Sequence, residues 1–303
     1  LKVGRVLRSA RELHPTDLVL MMIAWVSISS ASVLVILSGT TALVCAFWRV
    51  FMSSILILFY KALAESMRHP RVNPADFSVY LRSVVAGVLL GLHFLTWMES
   101  LFLIPVALST TVVVTYPLIN AFFEGIAHKT LRRIEILGLA LAFSGVVMAT
   151  KPQLGSEAGV SGVSLAFIGS LCAAGYFYLG RSSRKAGMSL TNYTIVAYTS
   201  ASLTLLIYAL VSKSTLLPAS TTSWAYVTLL ALIPMLGGHT VINYLLKRMK
   251  SYVVTSIALG EPPGATLLAA LILGQQIQAE TILGMALALV GILITVYGSL
   301  EKL

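Results

Sequence analysis

The feature that most constrains this chain is an internal repeat whose two copies carry opposite loop charge. Displacing the sequence by 146 positions (93 onto 239) lays Leu90-Gly91-Leu92-His93 on Leu236-Gly237-Gly238-His239 and Pro117 on Pro263. The same shift lays Ile136-Leu137-Gly138 on Ile282-Leu283-Gly284, Ala140-Leu141-Ala142 on Ala286-Leu287-Ala288, and Gly145 on Gly291. The apolar stretches agree, but the connections do not. Leu101 to Pro105 holds no basic residue, whereas its partner, Lys247 to Ser251, holds Lys247, Arg248 and Lys250. One connection later Lys129, Arg132 and Arg133 fall on Gln275, Gln278 and Ala279. Basic loops stay on the cytoplasmic side of a membrane. Matching loops of unlike charge therefore lie on opposite sides, which predicts an inverted-topology repeat.

Composition agrees. Of 303 residues, 57% are hydrophobic and 11% charged, with mean hydropathy +0.90. A soluble domain of this size would have too apolar a surface. The formal net charge of +10 does not point to nucleic acid, because the basic residues sit in short gaps between apolar runs. Cys45 and Cys172 lie inside apolar runs without metal-ligand spacing, so they read as packing residues. No metal or cofactor is expected. Lys2, Arg5, Arg8 and Arg11 precede an apolar stretch of about 20 residues, long enough to span and longer than a signal-peptide core. It reads as a retained first helix, with Leu1 to His14 a basic helix on the inner surface.

Runs of roughly 20 apolar residues predict helices over 18–37, 40–60, 80–104, 106–127, 134–150, 162–180, 191–212, 223–246, 252–274 and 281–298. With the N terminus inside, the outer loops hold only Lys151 and Lys213, and Arg49 lies within a span. The other basic residues fall on the inner side. The predicted fold is all-α integral membrane: ten transmembrane helices as two inverted five-helix repeats, both termini cytoplasmic. The repeats cover 1–150 and 151–303, joined at a Gly- and Ser-rich loop, Lys151 to Ser161. The expected location is the plasma (inner) membrane.

Several runs resemble a known family. Phe47-Trp48-Arg49, opening the second span, is similar to the start of that helix in the EamA group of the drug/metabolite transporter superfamily. Leu108 to Thr150 resembles its signature, with Tyr116-Pro117-Leu118 followed by Gly138 and Gly145. Gly260-Glu261-Pro262, Leu271-Ile272-Leu273-Gly274, Gly284 and Gly291 resemble the second copy. Two departures stand out. Where the family often has Gly-Glu-Arg, this chain has Ala127-His128-Lys129 and Gly274-Gln275-Gln276. Where the first helix often has a polar residue after Trp-Gly, it has Trp25-Val26-Ser27. The resemblance implies a ten-span carrier of small solutes, export of amino acids or other metabolites, and a homodimer through the fifth and tenth helices.

Ionisable groups at membrane depth need a cavity or a partner. Glu261 lies about ten residues into its run, roughly 15 Å deep at 1.5 Å per residue, beside Pro262 and Pro263. The prolines predict a broken helix with a carboxylate at the break, a site for a substrate or ion. The structural alternative is an acid tied to nearby backbone. His93 and His239, related by the repeat, are expected near the middle of the bilayer, with His239 level with Glu261. These two are the proton-coupling candidates; the alternative for a lone histidine is a packed, hydrogen-bonded ring. Trp25, Trp97, Tyr116 and Tyr176 are candidates for an aromatic wall against a flat or cationic solute, or else ordinary packing. Asn120 and Asn243 lie four residues after Tyr116 and His239 and are assigned to the same faces. Arg49 and Glu99, both in outer halves of their helices, form a candidate outer-gate pair.

HExxH, Walker, GxSxG and paired-acid patterns are missing, which speaks against a membrane enzyme. The function expected is alternating-access transport of small metabolites, with export of amino acids or related amphipathic compounds first. The alternatives are a passive facilitator or channel, and a carrier of another class such as nucleotide sugars. The expected partners are a small-molecule substrate and the lipid bilayer, with no nucleic acid.

Overall fold

The computed structural model describes residues 15–66, 76–120, 132–248 and 256–300. Among them every regular element is helical. The expected surface helix over Leu1 to His14 and the charges Lys129, Lys250 and Lys302 lie outside the described residues.

Among the described residues ten apolar segments follow one another. The first is Pro15–Ser29 continued by Ala31–Leu37; the second and third are Ala42–Ser66 and Phe77–Ser100. The fourth begins with Val106–Val113, and the fifth to seventh are Arg133–Thr150, Glu157–Lys185 and Leu190–Val211. The eighth is Thr221–Leu230, Ala231–Thr240 and Val241–Arg248; the ninth is Ser256–Gly260 with Glu261–Leu273; the tenth is Ala279–Leu300. Six are long and apolar enough to cross a membrane by themselves.

Local chemistry sets several ends. Ser156 Oγ accepts from Gly159 N at 3.1 Å and caps the sixth segment, while Arg184 and Lys185 complement its last turn. That segment therefore runs beyond the expected 162–180 at both ends. Gly274 closes the ninth segment at φ 64°, a left-handed position that favours glycine. The eighth segment departs most from expectation. Ala231–Thr240 winds in the wider π form, not as a regular helix. Pro234 has no amide to give to the ladder, and Thr240 Oγ1 donates to Met235 O, five residues back, at 3.1 Å.

Exposure is inverted relative to a soluble protein. Phe143, Leu271 and Val211 are 71%, 74% and 79% exposed, whereas Arg49 is 1% exposed and Asn243 fully enclosed. Apolar side chains face the lipid, and polar ones face the bundle interior.

The third segment packs on the sixth and the seventh, the second on the seventh, and the eighth on the first and second. The fourth packs on the sixth and ninth, the ninth on the first, and the fifth on the tenth. The fifth–tenth seam is a backbone contact. A Cβ on Gly145 would fall 2.3 Å from Ala288 N, and one on Gly291 2.3 Å from Ala142 N. Gly138 and Gly145, and Gly284 and Gly291, each pair seven apart, join these two segments to each other.

Candidate functional site

Seven segments converge on one central cavity. Arg49, His93, Trp97, Tyr116, His239 and Glu261 supply its polar lining. Phe177 and Ile28, Ala31, Val113, Val114 and Ile242 supply the apolar remainder. The cavity is closed down to about 20 Å³, room for about one water.

Glu261 stands where the ninth segment changes from a tight 3-10 turn to α-helix. Pro262 and Pro263 therefore open a helix rather than break one from within. Their missing amides belong to the first turn, where no carbonyl awaits them. Glu261 is partly exposed, toward the cavity. Trp25 lies outside, 39% exposed. Its indole covers Gly260, where a Cβ would meet Nε1 at 2.1 Å.

His93 is anchored. Its Nδ1–H donates to the Gly169 carbonyl at 2.9 Å, so the proton sits on Nδ1. Its ring stacks with Trp97, centroids 6.0 Å apart at 4°. His239 lies 6.3 Å from His93 by ring centroids, stacks on Phe177 at 6.0 Å, and has a buried Nδ1 without a partner. Tyr116 stacks on Phe177 at 4.9 Å. No hydrogen bond joins His239 to Glu261 among the described residues.

Tyr176 and Asn243 sit behind this lining. Asn243 Nδ2 donates to Tyr176 Oη at 2.6 Å, and the Tyr176 ring lies 6.2 Å from His239. Asn243 Oδ1 is buried and unpartnered. Asn120 is half-buried and away from the cavity.

The expected Arg49–Glu99 pair does not form. The Arg49 guanidinium carbon stands 4.1 Å from the Phe94 ring centroid. Glu99, half-buried, lies five residues beyond Phe94. Five residues turn a helix to about 140° from the starting face, so Glu99 points away from the face that meets Arg49. Arg49 Nε and Nη1 are enclosed without a hydrogen-bond partner. Sequence reasoning placed Arg49 at a gate and missed Phe177. The available signals were that Arg49 is the one Lys or Arg placed at depth within an expected span and that Phe177 adjoins Tyr176.

A many-segment α-helical bundle, apolar outside with ionisable groups at its centre, defines a multi-pass integral membrane protein. Residues 160–297 match the family described as EamA-like transporter family, which belongs to the drug/metabolite transporter superfamily. The matched residues form the second half; Phe47-Trp48-Arg49 and Tyr116-Pro117-Leu118 lie outside them. A solved structure titled "Crystal structure of protein" aligns at TM-score 0.67 and 16% identity, over 92% of this chain and 96% of that one. At that identity the likeness concerns the fold. Comparison with curated proteins finds no match.

Proposed function

We propose that this chain is an alternating-access carrier that exports amino acids or related amphipathic compounds across the plasma membrane. The observation that carries the reading is the enclosed cavity at the meeting of seven segments, lined by aromatic rings and by polar groups without partners. Small-molecule sites usually enclose about 300–1,000 Å³, far more than this cavity, so the walls must part to admit a solute. Two inverted five-helix halves, 1–150 and 151–303 with both termini cytoplasmic, supply that motion by rocking about the site. The packing pattern supports the repeat. Exchanging each segment for the one five places on converts third-on-sixth into eighth-on-first. It also converts third-on-seventh into eighth-on-second and fourth-on-sixth into ninth-on-first. A proton-coupled cycle would use Glu261 and His239, which line the same cavity.

Counterflow with purified protein in liposomes tests the reading. Vesicles loaded with unlabelled amino acids should accumulate labelled ones saturably and show trans-stimulation. Linear uptake without exchange would instead indicate a passive facilitator. Exchange restricted to nucleotide sugars would replace the substrate class, although Arg49 is the one Lys or Arg among the cavity-lining residues. For coupling, Glu261→Gln should abolish proton-driven flux; normal gradient-driven flux in that variant rules the role out.

A further inference from the structure

We propose that the cavity recognises both charges of a zwitterion, Arg49 taking a carboxylate and Glu261 an ammonium. This rests on the carrier reading and adds the recognition chemistry of the site.

Arg49 carries the argument. A guanidinium keeps its charge in proteins, and this one is 1% exposed, with Nε and Nη1 enclosed and unpartnered. The Phe94 face at 4.1 Å offers a weak cation–π contact. A ring alone does not offset the cost of burying an ion. What the Arg49 fork lacks is a carboxylate within hydrogen-bonding reach, which a guanidinium grips through two parallel hydrogen bonds.

Glu261 is the one acid among the lining residues. An arrangement built only for neutrality would bring it onto Arg49. Instead the two occupy different segments of one cavity wall, with no ion pair between them among the described residues. A cargo with one charge satisfies one of these groups and strands the other. A cargo with both satisfies both. Trp97 Nε1, a donor only, is also buried without a partner at the cavity. The Tyr116–Phe177 and His93–Trp97 stacks line the same cavity and offer flat ring faces. An α-amino acid with an apolar or aromatic side chain meets all of these demands.

The test is competition in counterflow with reconstituted full-length protein, using L-phenylalanine, its methyl ester and N-acetyl-L-phenylalanine. The parent should compete best, with each derivative needing at least about ten-fold more, because a missing partner leaves a buried polar group unsatisfied. Arg49→Gln should weaken the parent but not the ester, closing that ratio toward one. Glu261→Gln should close the ratio for the N-acetyl derivative. Arg49→Lys, which keeps charge but loses the fork, should fall between. A merely structural arginine would lower all three ligands together, and that outcome overturns the assignment. So does a derivative that competes as well as the parent, a result read on the native protein alone if a variant does not fold. If a sugar or a monocationic drug exchanges while no amino acid does, the carrier stands and the zwitterion inference falls. If nothing exchanges, the carrier reading falls first.

Discussion

The third and eighth segments carry the same Leu-Gly-x-His run, yet they hold their histidines in opposite ways. His93 rides an unbroken helix and donates to Gly169. His239 rides the π-wound stretch, and its Nδ1 has no partner. Their glycines differ too. A Cβ on Gly87 would fall 2.3 Å from the Ala197 carbonyl oxygen, which is backbone. Cβ atoms on Gly237 and Gly238 would meet Ser27 Oγ at 2.8 Å and Ile28 Cγ2 at 2.7 Å, which are side-chain ends. One copy of the repeat is a rigid wall seated on backbone. The other is a looser wall seated on side chains that can turn. A rocking carrier needs both, one to hold the site and one to yield.

The largest effect expected from this contrast is at the glycines. Gly87→Val drives two methyl groups into the backbone of the seventh segment and should cost about 3 kcal/mol or more. Loss of the monodisperse peak and a lower Tm in detergent would show it. Gly237→Ala should cost less than about 1 kcal/mol, because Ser27 can rotate away. Equal losses at both positions would break the distinction between the walls.

Next come the histidines. His93→Ala removes a buried ring and its hydrogen bond to the Gly169 carbonyl and should cost about 1 kcal/mol or more, read as a fall in Tm. His239→Phe keeps a ring on Phe177 and removes two ring nitrogens, of which the buried Nδ1 has no partner, so Tm should hold while exchange rate changes. A Tm loss at His239→Phe as large as at His93→Ala would mean that His239 is anchored as His93 is.

A smaller effect is expected at Pro234. Pro234→Ala restores an amide and should let the π stretch tighten toward α-helix, slowing hydrogen exchange over 231–240. Unchanged exchange there would show that Gly237 and Gly238, rather than the proline, set the winding.

Much of this architecture was legible in the sequence because its causes are local. Apolar runs fixed ten segments, and the repeat paired His93 with His239 before any distance was known. The π winding was not read, although Pro234, Gly237 and Gly238 stood in one run. Hydrophobicity is blind to how a helix is wound. The seat of Arg49 was not read either. Depth can be counted along a helix, but the face it presents to a neighbour depends on rotation, which packing decides. Asn243 shows the same limit. It lies four residues after His239 and both neighbour Tyr176, but its amide bonds Tyr176 Oη behind the lining and only His239 reaches the cavity.

The smallest expected effect tests that lesson at Glu99. Arg49 and Glu99 look like a pair when depth alone is considered, since both lie in the outer halves of their helices. In the structure Phe94 holds the position a carboxylate would need, and Glu99 is about 140° away around the third segment. Glu99→Gln should therefore leave Tm and exchange within about 0.5 kcal/mol of the parent, as surface substitutions usually do. The Arg49→Gln variant should show no coupling to it in a double-mutant cycle, because residues without a shared partner add. A coupling above about 1 kcal/mol would place the two side chains together in another state of the transport cycle. That state would put a second partner beside Arg49, and the rigid wall would then take part in gating as well as in holding the site.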